Sequence, residues 1–227
     1  MADYVLVHGA WHGGWCWRRV ADRLRAAGHH VLTPTLTGLG ERAHLRGGEI
    51  GLHTHAEDIA GVLRFEDLRD AILVGHSYGG FVVREAADQM AERVRRIVLL
   101  DAWIGRNGES MDSLAPEWFR DWVDSATKDG IIAVPPVAAV GVTDDSDAAW
   151  LAGRLTPQPR LTFSQATRLT GAVDGIPCQA VVCAPAGGIP FGQWASEFGW
   201  EQAVITSGHD AMITAPAEVT RILLATA

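Results

Sequence analysis

Short apolar runs recur along the first hundred residues, each followed by a stretch with helical spacing. Tyr4–Gly9 (YVLVHG) is continuously apolar and ends on glycine, which reads as a strand buried on both faces. After the loop AWHGGWCW, Trp17, Val20, Ala21 and Leu24 share one helical face, and Gly28 follows as a stop. HHVLTPTL reads as a second strand and GLGERAHLRGGEIGLH as a glycine-rich loop. Thr54 with Glu57 predicts a capping box opening a helix with Ile59, Val62 and Leu63 inward. DAILVGHS is a third strand. A helix runs from Gly79 to about Glu92, with Val82, Val83, Ala86, Ala87 and Met90 on one stripe, and RRIVLLDAW is a fourth strand.

The rhythm breaks after residue 103. PEWFRDWVDSAT places Trp118, Phe119, Trp122 and Val123 at helical spacing, DAAWLAGRL is a short amphipathic helix, and LTPQPRL is a proline-bearing extended linker. Alternation then resumes with strand CQAVVCAP, helix FGQWASEFG, strand WEQAVITSGHD and a last helix, AEVTRILLATA, with Pro216 in its first turn. The pattern predicts an α/β fold: a mostly parallel six-stranded sheet with helices on both faces, core 1–103 and 173–227, and a small helical cap inserted at 104–172. Ligands of such sheets sit at the carboxyl ends of the strands. His8, Gly9, Ser77 and Asp101 fall at or just beyond those ends.

Composition narrows the classes. The 227 residues are 48% hydrophobic and 20% charged, as ordinary globular chains are. The net charge of −8, with Lys128 the one lysine against eighteen arginines, gives no nucleic-acid footprint. Cys16, Cys178 and Cys183 are odd in number and lack the spacing of a disulfide scaffold or a metal site, so they read as core or pocket residues. The N-terminus enters a strand almost at once, with no leader-like or membrane-spanning segment, and a cytoplasmic location is the expectation. No metal is expected, and homodimerisation stays open.

Gly75-His76-Ser77-Tyr78-Gly79 fits G-x-S-x-G between a strand and a helix. There a serine sits on a sharp strained turn, glycines two residues either side remove Cβ clashes, and the helix N-terminus favours developing negative charge. A hydroxyl needs a base near neutral pH. In strand–turn–helix sites of this kind the order is Ser, acid, His, and of nine histidines only His209 follows Ser77. It lies after the last strand, in SGHDAM. The second requirement is a pair of backbone N–H donors for an oxyanion. Tyr78, just after the serine, and Ala10, in the loop HGAW, are the candidates. Gly9 permits close approach there, and Trp11 either contributes or lines the pocket. His8 and His76 read as loop-packing residues.

Together LVHGAWHGGWCWRRVADRL, GHSYGG and SGHDAM resemble the α/β-hydrolase superfamily. Within it the chain is similar to the compact branch of plant methyl-ester esterases, hydroxynitrile lyases and bacterial carboxylesterases. The resemblance spans nearly the whole chain and is weakest across the inserted segment. It implies a cofactor-free serine esterase. In that branch the third member is usually Asp in the loop after the strand that here reads CQAVVCAP, yet AGGIPFGQ follows and contains no carboxylate. Asp101, at the end of the preceding strand, is the leading replacement. Glu197, Asp210 and no carboxylate at all stay open.

Hydroxynitrile lyases of the branch carry Thr where Gly9 stands and Lys after the histidine. Here Gly9 and Asp210 occupy those positions, which argues against cyanide chemistry. The expectation is hydrolysis of an ester or thioester of a small apolar or aromatic metabolite, with Gly9, Trp11, Trp103, Trp118 and Trp122 at the pocket. A cyclase using the same pocket, or a small-molecule receptor on the same fold, are the alternatives.

Overall fold

The computed structural model describes residues 1–47, 49–185 and 187–227. Strands β1 (Asp3–Val7), β2 (His30–Leu32), β3 (Ala71–His76) and β4 (Val94–Leu100) alternate with helices α1 (Arg18–Ala26), α2 (Leu52–Phe65) and α3 (Gly79–Gln89). Then come α4 (Met111–Leu114), α5 (Glu117–Ala126), β5 (Thr127–Lys128), β6 (Ile131–Ile132), α6 (Asp145–Ala152), β7 (Gln158–Pro159) and α7 (Leu161–Ser164). The chain closes with β8 (Cys178–Ala184), α8 (Phe191–Glu197), β9 (Glu201–Thr206), α9 (Ala211–Thr214) and α10 (Pro216–Leu224).

The six-stranded sheet has the order β2-β1-β3-β4-β8-β9 and every pairing is parallel. Successive side chains on a strand point to opposite faces, so each apolar run feeds two cores. Val5, Val7, Leu73, Ile97, Leu99 and Ala180 join residues of α2, α3 and α8 in one. Tyr4, Leu6, Ile72, Val74, Val98 and Val181 join those of α1, α9 and α10 in the other. The strands need continuous hydrophobicity because both faces are covered. Among the described residues no helix is long and apolar enough to cross a membrane.

Several expectations are corrected. The second strand is three residues long, since Pro34 cannot donate to a ladder and the chain leaves the sheet before it. Helix α2 opens at Leu52, because Leu52, His55, Ala56 and Ile59 form its buried face. Thr54 sits inside the first turn, where its Oγ1 accepts from Gly51 N–H at 3.3 Å, and Val62 lies at the edge of the core. Helix α3 stops at Gln89 and a 3₁₀ turn, Ala91–Arg93, follows.

Residues 104–172 are not purely helical. They include a three-stranded antiparallel sheet, β5-β6-β7. Asp129 (φ +50°) and Gly130 (φ +74°) make the two-residue turn between β5 and β6, which is the Asp-Gly hairpin signal. The proline-bearing linker supplies β7 at the edge of that sheet, where Pro159 costs no central ladder bond.

Candidate active site

Ser77 follows β3 with φ +51° and is 8% exposed. The flanking glycines are required by close approach. A Cβ on Gly75 would lie 2.7 Å from the Gly79 carbonyl oxygen, and one on Gly79 would lie 2.8 Å from that of His8. Ser77 N–H donates to Leu100 O at 3.2 Å, and Ser77 O accepts from Gly80 and Trp103 N–H at 3.0 and 3.1 Å. The corner is therefore fixed from both sides while its hydroxyl borders a cavity.

His209 hangs from the loop after β9. Its Nδ1–H donates to Asp101 Oδ2 at 2.6 Å, which leaves Nε2 for proton transfer. Asp101 is 6% exposed, and its Oδ1 accepts from Cys183 N–H at 3.0 Å. Its backbone, at φ +43°, is tied to Val181 O at 2.7 Å. The carboxylate thus has two donors and a fixed orientation at the end of β4. Phe191 stacks on the His209 ring at 5.7 Å and 13°. Glu197 is elsewhere. It accepts from Gln193 and borders a separate cavity beside Arg84 and Phe198. Asp210 faces His12 instead of the His209 ring.

Around the loop after β1, most polar groups are engaged. His8 Nδ1–H donates to Gly9 O at 2.8 Å and its Nε2 accepts from Leu36 N–H at 3.0 Å. Burial lowers the His8 pKa to about 3, so the ring is neutral, as those bonds require. Trp11 N–H donates to Gln158 Oε1 at 2.9 Å, and Trp11 O accepts from Thr156 N–H at 2.8 Å. The Trp11 amide is thereby removed as an oxyanion donor. The Ala10 and Tyr78 amides have no acceptor among the described residues. The Tyr78 side chain is buried away from the site with its hydroxyl 2.9 Å from His55 Nδ1.

Ser77, His209, Asp101, Ala10, Trp11, Trp103, Trp118 and Trp122 all border one cavity of about 710 Å³. Gly9 does not, which corrects the expectation. It lies under the corner, where a Cβ would come within 2.8 Å of Ser77 Cβ and 2.9 Å of the His76 ring. Trp118, 54% exposed, stands at the rim. Sequence reasoning missed Phe119 and Phe191, which border the same cavity, and Gln158 and Thr156, which hold Trp11. No local motif marks those two, because their role is set by a contact about 145 residues away in the chain.

His76, His209 and Asp210 bring potential ligand atoms within 4.8 Å of one another. Part of this set is already engaged, while His76 Nδ1 and Asp210 Oδ1 have no hydrogen-bond partner among the described residues. His76 Nε2–H donates to His209 O at 3.1 Å, His209 Nδ1–H to Asp101, and Asp210 Oδ2 accepts from His12 Nε2–H at 3.0 Å. The thiols are inert by environment. Burial raises the Cys16 and Cys183 pKa values well above the ordinary range and that of Cys178 to about 12.

The sequence profile described as the alpha/beta hydrolase family matches residues 4–222. The chain is 38% identical over 242 aligned positions, 99% of each chain, to a carbendazim hydrolyzing esterase of Nocardioides. An extracellular alpha/beta-hydrolase from a Paenibacillus species has the same fold (TM-score 0.86, 22% identity, 99% of this chain and 98% of that one). So does a methylesterase from Arabidopsis (TM-score 0.81, 21% identity, 100% and 98%).

Proposed function

The chain belongs to the alpha/beta hydrolase family, and from that premise we propose that it is a serine esterase acting on a small, flat, apolar ester or thioester. The observation that carries this reading is the 2.6 Å contact from His209 Nδ1 to a buried, doubly bonded Asp101, beside the strained Ser77 corner. In the proposed reaction Ser77 Oγ attacks the carbonyl carbon and His209 Nε2 takes the hydroxyl proton. The carbonyl oxygen becomes an oxyanion between the Ala10 and Tyr78 amides. His209 returns the proton to the leaving alcohol or thiol as the bond to it breaks. Water then attacks the acyl-enzyme by the same path, releasing the acid and restoring Ser77. Asp101 holds the imidazole in its working tautomer and stabilises the imidazolium without taking the proton.

The substrate class follows from the walls. Trp103, Phe119, Trp122 and Phe191 line the cavity and pack against one another, which suits a planar acyl group. Met111, Trp118, Phe119, Trp122 and Val140, all within residues 104–172, are among the cavity's lining, which supports reading that segment as a cap over the site. The 38% identical relative acts on carbendazim, as its name states, so carbendazim belongs among the first substrates tried.

The test is hydrolysis of p-nitrophenyl acetate, p-nitrophenyl butyrate and carbendazim, with a serine-directed phosphonate mapped by mass spectrometry. The reading expects turnover of at least one ester and a single adduct on Ser77. Absence of both turnover and adduct would reject it in favour of a receptor on a hydrolase fold.

A further inference from the structure

Two loops must stay in register for the proposed chemistry. Residues 8–12 present the Ala10 amide, and residues 207–210 present His209. They follow β1 and β9, which are separated in the sheet by β3, β4 and β8, so no ladder joins them directly. One side chain bridges them. His12 Nδ1 lies 2.7 Å from Ala10 O, and His12 Nε2 lies 3.0 Å from Asp210 Oδ2. A carbonyl oxygen and a carboxylate oxygen only accept, so each ring nitrogen must carry a proton. His12 is 2% exposed and Asp210 is fully buried.

A buried ion pair loses hydration that apolar residues of the same volume would not lose, so such a pair is weak evidence of a purely stabilising role. Its placement suggests another. Asp210 is the residue after His209, and its N–H donates to Val140 O at 3.1 Å. His76 Nε2, 3.6 Å from Asp210 Oδ1, donates to the His209 carbonyl. The peptide group that joins His209 to Asp210 is thereby held at both its carbonyl and its N–H.

We propose that His12 is an imidazolium which, paired with Asp210, ties the oxyanion loop to the histidine loop and so sets the distance between Ala10 N–H and His209. The two are positioning residues, and the role rests on the serine-esterase reading above. Burial alone would lower the His12 pKa, but the Asp210 charge and hydrogen bond outweigh it and raise the value. Burial likewise pushes the Asp210 pKa upward, and His12 beside it holds it below the usual carboxylate range. The other titratable groups facing the pair are His8, His76, His209, Cys16 and Cys183. Burial keeps His8 and His76 neutral and the Cys16 and Cys183 thiols protonated. Trp15 stacks on the His12 ring at 5.5 Å.

The test combines a spectrum and a rate. In the full chain with ¹⁵N-labelled histidine, His12 is expected to show both ring nitrogens protonated at pH 7. Asp210→Asn and His12→Asn are expected to lower kcat by about ten- to hundred-fold per active site titrated with the phosphonate. That is less than outright loss of an oxyanion donor, roughly 10²–10³. KM should stay within about threefold, and the double variant should be no worse than the worse single one. A purely structural role would instead reduce the number of titratable sites and the Tm with kcat per site intact. That result, losses that multiply, or a neutral His12 at pH 7 would each overturn the proposal. The spectrum decides alone if the variants fail to fold. A wild-type chain with no phosphonate-reactive serine would remove the esterase reading and the positioning role together. An active wild type with an unchanged Asp210→Asn variant removes the positioning role only.

Discussion

Three residues around the cavity hold left-handed backbone that side chains disfavour: Trp11 (φ +64°), Ser77 (φ +51°) and Asp101 (φ +43°). Each such residue costs of order 1–3 kcal/mol and persists only where its surroundings over-determine it. Here they do: Gln158 and Thr156 hold Trp11, the flanking glycines admit Ser77, and Cys183 and Val181 hold Asp101. Gly9→Ala would drive a methyl group against Ser77 Cβ and the His76 ring. It is expected to lower kcat/KM at least about tenfold, since sub-ångström displacement of reacting groups is costly. Ester hydrolysis alongside circular dichroism checks this, and unchanged turnover would remove Gly9 from the account. As candidates, Ser77 and His209 are legible because a strained corner has a short local signature and only one histidine follows it. Asp101 was legible only as one of several carboxylates, because what distinguishes it is a contact across 108 residues. The His12–Asp210 pair was not legible, since its partners stand 198 residues apart.

Among the elements, the strands that carry continuous apolar runs were readable because both of their faces are buried. The edge strand β2 was overread, since apolar and β-branched residues continue past the point where Pro34 ends pairing. The β5–β6 hairpin was missed although Asp129-Gly130 announces it, because two-residue strands carry no periodicity. A contact between elements bears on His209 as well. The turn at Gly141 (φ +76°) packs backbone to backbone on Gly208, where an added Cβ would lie within 2.1 Å of Gly141 O. Gly208→Ala must therefore push the histidine loop away from that turn. The expected effect is a fall of about ten- to hundred-fold in kcat/KM with the overall fold retained, as measured by ester hydrolysis and thermal melting.

At the scale of the whole molecule, the segment returning from α7 to β8 is pinned to α3 by Arg84, Glu85 and Asp88, of which Asp88 takes the most backbone donors. Asp88 accepts from Thr170, Gly171 and Val173 N–H at 2.6, 3.1 and 3.0 Å. Burial would raise its pKa, but these donors outweigh burial and lower it. A depressed carboxylate contributes stability that is present above its unfolded pKa, about 3.9, and is lost as pH falls through its folded value. Asp88→Ala leaves amides without an acceptor, at roughly 1–3 kcal/mol for a buried one. For a chain of this size Tm should fall by about 2–4 °C per kcal/mol. The gap between wild type and variant should be full at pH 7 and shrink below about pH 4, and a gap that widens in acid would contradict the assignment.

In the proposed triad the acid is Asp101, at the end of β4, and not a residue after β8. The most direct measurement is kcat/KM for p-nitrophenyl butyrate in wild type and Asp101→Asn, with melting curves showing that both are folded. A loss of about a hundred-fold or more is expected, as for replacement of other triad acids, with Ser77 still open to phosphonate. A folded Asp101→Asn variant that hydrolyses the ester at the wild-type rate would contradict it.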